Sequence, residues 1–157
     1  MSIGYAASLD VCLRHADRLT WAMSQLHAKF PLTPDAITGL NDTELAVLDQ
    51  FSTRFAKLQD AMGAKLFPAV LEVAQEHGNY PAFLDKLNRL EKIGAIDSAD
   101  QWLTLREMRN EFSHDYPEDP AIQVAMLNKA YLLATELLAV LHKIASFGSN
   151  YLGTVVK

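Results

Sequence analysis

The chain has 157 residues, 50% of them hydrophobic and 21% charged, with a formal net charge of −5 at pH 7. This is the composition of a globular domain large enough to bury a core, and it excludes a disordered or low-complexity chain. The negative charge argues against broad, non-specific nucleic-acid binding, which rests on neutralising phosphates with Lys and Arg, but it leaves room for a small, locally basic site.

No run of consecutive apolar residues reaches the roughly 20 needed to span a bilayer. Met1 to Asp10 lacks a basic stretch followed by an apolar one. Neither a membrane segment nor a secretory signal is therefore expected. The single cysteine, Cys12, has no internal disulfide partner and lies among apolar residues. It reads as a small buried hydrophobe, and the whole suits a reducing cytoplasm.

Five helical segments and no strand follow from the spacing of apolar residues. The first runs from about Ser8 to Ala28, where Leu9, Cys12, Ala16, Leu19, Met23 and Leu26 recur at three- and four-residue steps. A proline-punctuated connection from Pro31 to Gly39 follows. The second segment is the longest. It opens on Asn41 with Glu44 three residues on, the pattern of a capping box, and keeps a helical stripe from Leu45 through Phe51, Phe55, Leu58, Met62, Leu66 and Val70 almost to His77-Gly78. Pro68 interrupts that stripe, so a kink or break is expected near Ala64 to Phe67.

The third helix is short, from about Pro81 to Ile93, and stops at Gly94. The fourth begins at Ser98, with Gln101 at the capping-box position, and turns Trp102, Leu105, Met108 and Phe112 inward. Pro117 disfavours helix at Tyr116, which puts its end near His114 or Asp115. The fifth starts with Asp119 as cap and Pro120 at its first position, and runs to about Phe147, ending at Gly148. Its apolar face, from Ile122 to Ile144, is wide enough for a central helix or for a helix packed on a second subunit. The expected architecture is all-α: an antiparallel four/five-helix bundle over residues 1–148, followed by a tail, 149–157, without helical period.

A bundle does not name a function. The densest polar cluster lies between Arg106 and Asp119. Asn110 and His114 are four apart on one helix face, Arg106 is one turn earlier, and Arg109 is adjacent, so these residues are expected to line one polar surface at a helix end. Histidine titrates near neutral pH and can move protons, and arginine stays charged and matches phosphate oxygens with a planar fork of donors. Together they meet the needs of RNA cleavage without a metal: the His takes the ribose 2′-OH proton and the Arg stabilises charge growing at phosphorus. On spacing alone, a structural reading stands beside this one, with the His bound to the carbonyls of the last helical turn and the Arg paired with a nearby carboxylate.

The other histidines, His15, His27, His77 and His142, show no metal-ligand spacing. Lys57, Asp60 and Lys65 read as surface charges in preference to residues near the cleft, and Trp21 and Trp102 as core. There is no glycine-rich phosphate loop and no nucleophile elbow.

The segment Arg109-Asn110-Glu111-Phe112-Ser113-His114-Asp115-Tyr116 resembles the R-x4-6-H signature of HEPN domains, in the R-x4-H-x-Y form of HepT-like toxins encoded beside minimal nucleotidyltransferase antitoxins. Arg54 to Gly63 is similar to the second helix of the same toxins. The resemblance implies a homodimer in which two motifs face each other across the two-fold axis to form one cleft. It makes Arg109 and His114 the catalytic pair of an endoribonuclease that cleaves tRNA or mRNA. Asn110, Ser113 and Arg106 become supporting contacts to RNA, and Tyr116 becomes the residue AMPylated by the antitoxin. No metal or cofactor is implied for the toxin itself; the antitoxin uses ATP and Mg²⁺. A related group with the same bundle serves as the substrate-binding subunit of nucleotidyltransferases, so a non-catalytic binding role stands as the alternative.

Overall fold

Hydrophobic stripes at helical spacing fold this chain into helices. In the computed structural model, which describes residues 2–115 and 117–156 (the backbone alone for 2, 3 and 152–156), these are α1 (Ser2–Leu26), α2 (Pro34–Thr38), α3 (Asp42–Ala61), α4 (Phe67–Val73), α5 (Phe83–Lys92), α6 (Ala99–Glu111) and α7 (Pro120–Val156). A short 3₁₀ turn, His27–Lys29, follows α1, and a π-turn, Met62–Leu66, joins α3 to α4. No strand is present among the described residues. The protein is an all-α helical bundle.

Cross-links between the long helices set their directions. Arg54 meets His15 and Lys29 meets Glu44, so α1 and α3 run antiparallel. Tyr131 bonds to Met23, and Tyr5 to Ala145, which makes α7 antiparallel to α1. Arg109 pairs with Asp60, and Lys143 with Asp97, so α6 opposes both α3 and α7. The shared core is fully buried: Leu19 of α1, Phe51, Phe55 and Leu58 of α3, Trp102 and Leu105 of α6, and Leu127, Leu137 and Leu141 of α7.

Several local signals act as their chemistry predicts. Asn41 Oδ1 accepts the Glu44 backbone N–H at 2.8 Å, while Glu44 Oε1 accepts that of Asn41 at 3.0 Å, a complete capping box. Ser98 Oγ accepts the Gln101 N–H at 3.0 Å, but the Gln101 side chain turns away to Glu136. Asp119 Oδ1 caps α7 through the Ala121 N–H, with Pro120 at the first helical position. Gly94 closes the turn after α5 at φ +84°, a conformation that penalises any side chain with a Cβ.

Pro68 does not stop the second rod; it widens it. Proline has no N–H for the carbonyl four residues back, and the preceding turn opens so that the Phe67 N–H reaches Met62 instead. Met62, Leu66, Phe67 and Val70 therefore stay on the buried side.

The ends of the chain depart from the sequence expectation. α1 begins at Ser2 rather than near Ser8, and α7 continues through Gly148 to Val156, so 149–156 is helix and not a tail. Tyr5 explains both. Its ring is fully buried, and its hydroxyl donates to the Ala145 carbonyl at 3.2 Å. A Cβ on Gly148 would lie 2.3 Å from that hydroxyl oxygen. Gly148 is thus a packing glycine within a helix, not a terminator.

The connection between the first two long segments also contains α2, capped by Thr33. It is tied down by Asn128 of α7, whose amide both accepts from the Leu32 N–H (2.7 Å) and donates to the Leu32 carbonyl (3.0 Å). Trp21, expected in the core, is 44% exposed, and Leu45 and Ile122 of the expected inward stripes are exposed too. By length and composition α7 is apolar enough to cross a membrane, contrary to the expectation from consecutive apolar residues. In the bundle Val124, Leu127, Ala130, Ala134, Leu137, Leu141 and Ile144 are buried, and packing accounts for them.

Cys12 is fully buried, as expected. Burial pushes its thiol pKa up to about 12, slightly opposed by the charge of Lys65. At pH 8 the thiolate fraction is then on the order of one in ten thousand, and only the thiolate is nucleophilic. Native protein should resist iodoacetamide at pH 8 over hours and take up one equivalent in denaturant, as read by intact mass. Gly148→Ala should lower stability by about 1–2 kcal/mol in urea unfolding, because overpacking against the confined Tyr5 ring outweighs the gain in helix propensity.

Candidate functional site

The last turn of α6 builds the site. The helix ends at Glu111, earlier than Pro117 alone would require. Beyond it the backbone tightens from four-residue to three-residue hydrogen bonds: Ser113 N–H to Asn110 O at 3.1 Å and His114 N–H to Glu111 O at 3.3 Å. Ser113 Oγ also donates to the Asn110 carbonyl at 2.6 Å. Phe112 anchors this turn by meeting Phe55 edge-to-face, with ring centroids 5.5 Å apart.

This turn faces α3 across a groove of about 710 Å³. The α6 end contributes Arg109, Ser113 and His114 to it, and α3 contributes Asp49, Lys57 and Asp60. Arg109 is fixed by a bidentate pair: its Nε donates to Asp60 Oδ1 at 2.7 Å and its Nη2 to Asp60 Oδ2 at 2.8 Å. That carboxylate raises the Arg109 pKa above its ordinary value, with partial burial opposing. Two parallel bonds align the fork, and the remaining N–H donors are not used by Asp60. His114 is exposed, and its imidazole has no hydrogen-bond or ion-pair partner among the described residues. It stands at the border with a second depression of about 440 Å³, walled by Ile122, Met126 and Lys129 of α7.

The polar surface expected from helical spacing is therefore rearranged. Arg109, Ser113 and His114 share the groove, whereas Arg106 and Asn110 do not line it. Arg106 lies over the Phe83 ring, 5.6 Å from its centroid, in an adjacent cleft. Asn110 is exposed and takes part through its backbone carbonyl. The reason is the early end of α6: the four-residue register linking Asn110 to His114 holds only while the helix continues. Tyr116 lies outside the described residues.

Lys57 and Asp60, read from the sequence as surface charges, both belong to the groove, and Lys65 is exposed. Nothing local in the sequence announces the Asp60 pairing, since its partner is 49 residues away. On the far side of α3, Arg54 Nη1 donates to His15 Nδ1 at 2.9 Å, while its Nε is buried without a partner. Burial, then the charges of Arg54 and Lys57, hold the His15 pKa below its ordinary value. Among the described residues, no cluster of three or more His, Cys, Asp or Glu side chains is placed to hold a metal ion.

No family model matches the chain, and neither a curated protein nor a solved structure matches it.

The Asp60–Arg109 pair is partly exposed, with 27% of the Arg side chain and 50% of the Asp side chain accessible, so solvent screens it. A double-mutant cycle with Asp60→Ala and Arg109→Ala, followed by urea unfolding, should give a coupling of about 0.5–1 kcal/mol. The coupling should shrink in 1 M NaCl, where the Debye length is about 3 Å.

Proposed function

We propose that the chain is the toxin of a type VII-like toxin–antitoxin pair, a metal-independent endoribonuclease that cleaves tRNA or mRNA in the cytoplasm. The observation that carries this reading is that Arg109 shares one groove with an exposed His114 whose imidazole has no hydrogen-bond or ion-pair partner among the described residues. This is the minimum that ribose-assisted phosphodiester cleavage asks of a protein.

The chemistry needs no external reactant. His114 in its neutral form accepts the proton of the ribose 2′-OH. The 2′-oxygen attacks the adjacent phosphorus, the bond from phosphorus to the 5′-oxygen breaks, and the leaving oxygen takes a proton from water while the His114 imidazolium returns its proton to solvent. The products are a 2′,3′-cyclic phosphate and a 5′-hydroxyl. Arg109 stabilises the extra charge on the non-bridging oxygens, with its fork held by Asp60. The Ser113 hydroxyl and Lys57 ammonium lie along the same groove and are suited to neighbouring phosphate or ribose oxygens.

The resemblance of Arg109 to Tyr116 to HepT-like toxins adds the rest of the reading: a homodimer that juxtaposes two such grooves, and a cognate nucleotidyltransferase antitoxin that AMPylates Tyr116. A second copy suits the electrostatics. Asp49, Asp60 and Asp115 outnumber Lys57 and Arg109 in one groove, and added cations would help to hold RNA. The same carboxylates favour a second reading, in which the chain is a non-catalytic substrate-binding subunit of a nucleotidyltransferase complex and Arg109 is a structural ion-pair residue.

Purified protein should cut single-stranded RNA in EDTA, leaving 2′,3′-cyclic phosphate ends detectable by mass spectrometry. His114→Ala should lower the rate by 10²-fold or more, the usual contribution of a positioned general base. Undiminished cleavage by folded His114→Ala would sink the assignment, and harmless, inactive wild-type protein bearing no AMP would favour the binding subunit. With antitoxin and ATP, wild type should gain adenylyl mass and Tyr116→Phe should not.

A further inference from the structure

Beside the groove, and sharing Asp60 with it, lies a separate cleft of about 360 Å³. Its floor is the π-turn: Gly63 and Ala64 come from the widened segment that Pro68 imposes. Phe83 of α5 and Trp102 of α6 form its aromatic walls, and Arg106 is held over the Phe83 ring at its mouth. Gln59, only 4% exposed, brings an amide to the same space.

Two features of this cleft lack a structural explanation. Trp102 is 1% exposed, and its Nε1–H is buried with no hydrogen-bond partner among the described residues. A buried donor without an acceptor costs free energy that a bound acceptor would recover. Trp102 and Gly63 both line the cleft, and the indole meets the glycine beside its donor: Cε2, bonded to Nε1, lies 3.9 Å from where a Gly63 Cβ would stand, and Cζ2 lies at 3.4 Å. Position 63 also has no backbone need for glycine, because its φ is not positive. What its missing side chain provides is space against Trp102 and Phe83.

We propose that this cleft binds a nucleobase of the RNA, the base of a nucleotide flanking the phosphate held at Arg109 and His114. The inference rests on the ribonuclease reading for its orientation and deepens it into a base preference. The chemistry is that of single-stranded RNA recognition, in which unstacked bases lie on aromatic rings and guanidinium planes and are read along their polar edges. Phe83 and Arg106 supply the stacking surface. Trp102 Nε1–H donates to a ring nitrogen or carbonyl of the base, and the Gln59 amide offers a donor and an acceptor to the same edge. Asp60 forms the wall between base cleft and phosphate groove, so one nucleotide spans both.

The test uses the full chain carrying Trp21→Phe, which leaves Trp102 as the only indole and makes its Nε1–H a single resonance in a ¹⁵N–¹H spectrum. Titration with AMP, GMP, CMP and UMP should move that resonance downfield to saturation, with at least one base binding tenfold tighter than another. Ribose 5-phosphate, which has no base, should leave it in place. Gly63→Ala should weaken binding tenfold or more by filling the cleft. Arg106→Ala, an exposed substitution that leaves the core intact, should weaken it threefold or more, each variant being checked for helicity by circular dichroism. An unmoved resonance with all four nucleotides, an equal shift with ribose 5-phosphate, or unchanged affinity in folded Arg106→Ala would overturn the proposal. Cleavage assays keep the two readings apart. Base-dependent binding in a protein that cuts no RNA would leave the cleft standing and remove the ribonuclease. RNA cleavage that is lost in His114→Ala, without any base-dependent shift, would do the reverse.

Discussion

Pro68 cannot donate to the carbonyl of Ala64, and the rod formed by α3 and α4 is organised around that missing bond. A break there would have cost the core its continuity, since Phe51, Phe55 and Leu58 lie before the proline and Val70 and Leu71 after it. The π-turn keeps one rod and one buried stripe, and moves the irregularity to the surface between α3 and α4. There it places Gly63 against Trp102 and Phe83 and leaves Asp60, one turn earlier, opposite the end of α6. The smaller cleft is lined directly by this backbone adjustment, as is frequent for π-bulges near functional sites, and the groove adjoins that cleft at Asp60.

The second organising relation is between the two ends of the chain. Tyr5 reaches Ala145 and Gly148 across 140 residues or more, and fixes the start of α1 on the late part of α7. α7 therefore packs along its length, touching α1 near both ends, the segment before α2 through Asn128, α6 through Glu136, and the segment before α6 through Lys143. α6 is held in turn by α3 and α7, so the turn that carries Ser113 and His114 projects from a fixed base. Phe112 on Phe55 is its last core contact.

What was legible in the sequence was what depends on neighbours within one or two turns. The capping residues Asn41 and Asp119, the stop at Gly94, the disturbance before Pro68 and the buried stripe through Trp102, Leu105 and Met108 all follow from local hydrogen bonding or helical period. What was not legible depends on partners far along the chain. Gly148 reads as a terminator in its own context and becomes a packing residue only because Tyr5 is there. Trp21 has the apolar bulk of a core residue, yet on α1 it stays 44% exposed. The same holds in the site. Arg109 and His114 stand out by spacing and Ser113 by the resemblance of the motif, whereas the pairing of Asp60 is silent until α3 and α6 are set antiparallel. By spacing Arg106 belongs with Asn110 and His114, but in the fold it lies over Phe83 instead.

The balance of forces at Asp60 decides how the groove works under the proposed chemistry. A carboxylate clasping the catalytic guanidinium looks like a lock, since it occupies the fork that would serve a phosphate. The magnitudes argue otherwise. With half of the Asp60 side chain accessible, the pair is worth about 1 kcal/mol at most. Hydrogen bonds from Arg109 to a phosphate shielded by the groove are each worth about 1.5–3 kcal/mol. Water takes up a released carboxylate readily at that exposure, so Asp60 yields to an incoming phosphate or keeps two donors while the others bind. In either case the pair saves the entropy of ordering a long side chain before substrate arrives. It is a rest that keeps Arg109 ordered in the groove that Ser113 and His114 also line, and its cost on release is smaller than the interaction it gives way to.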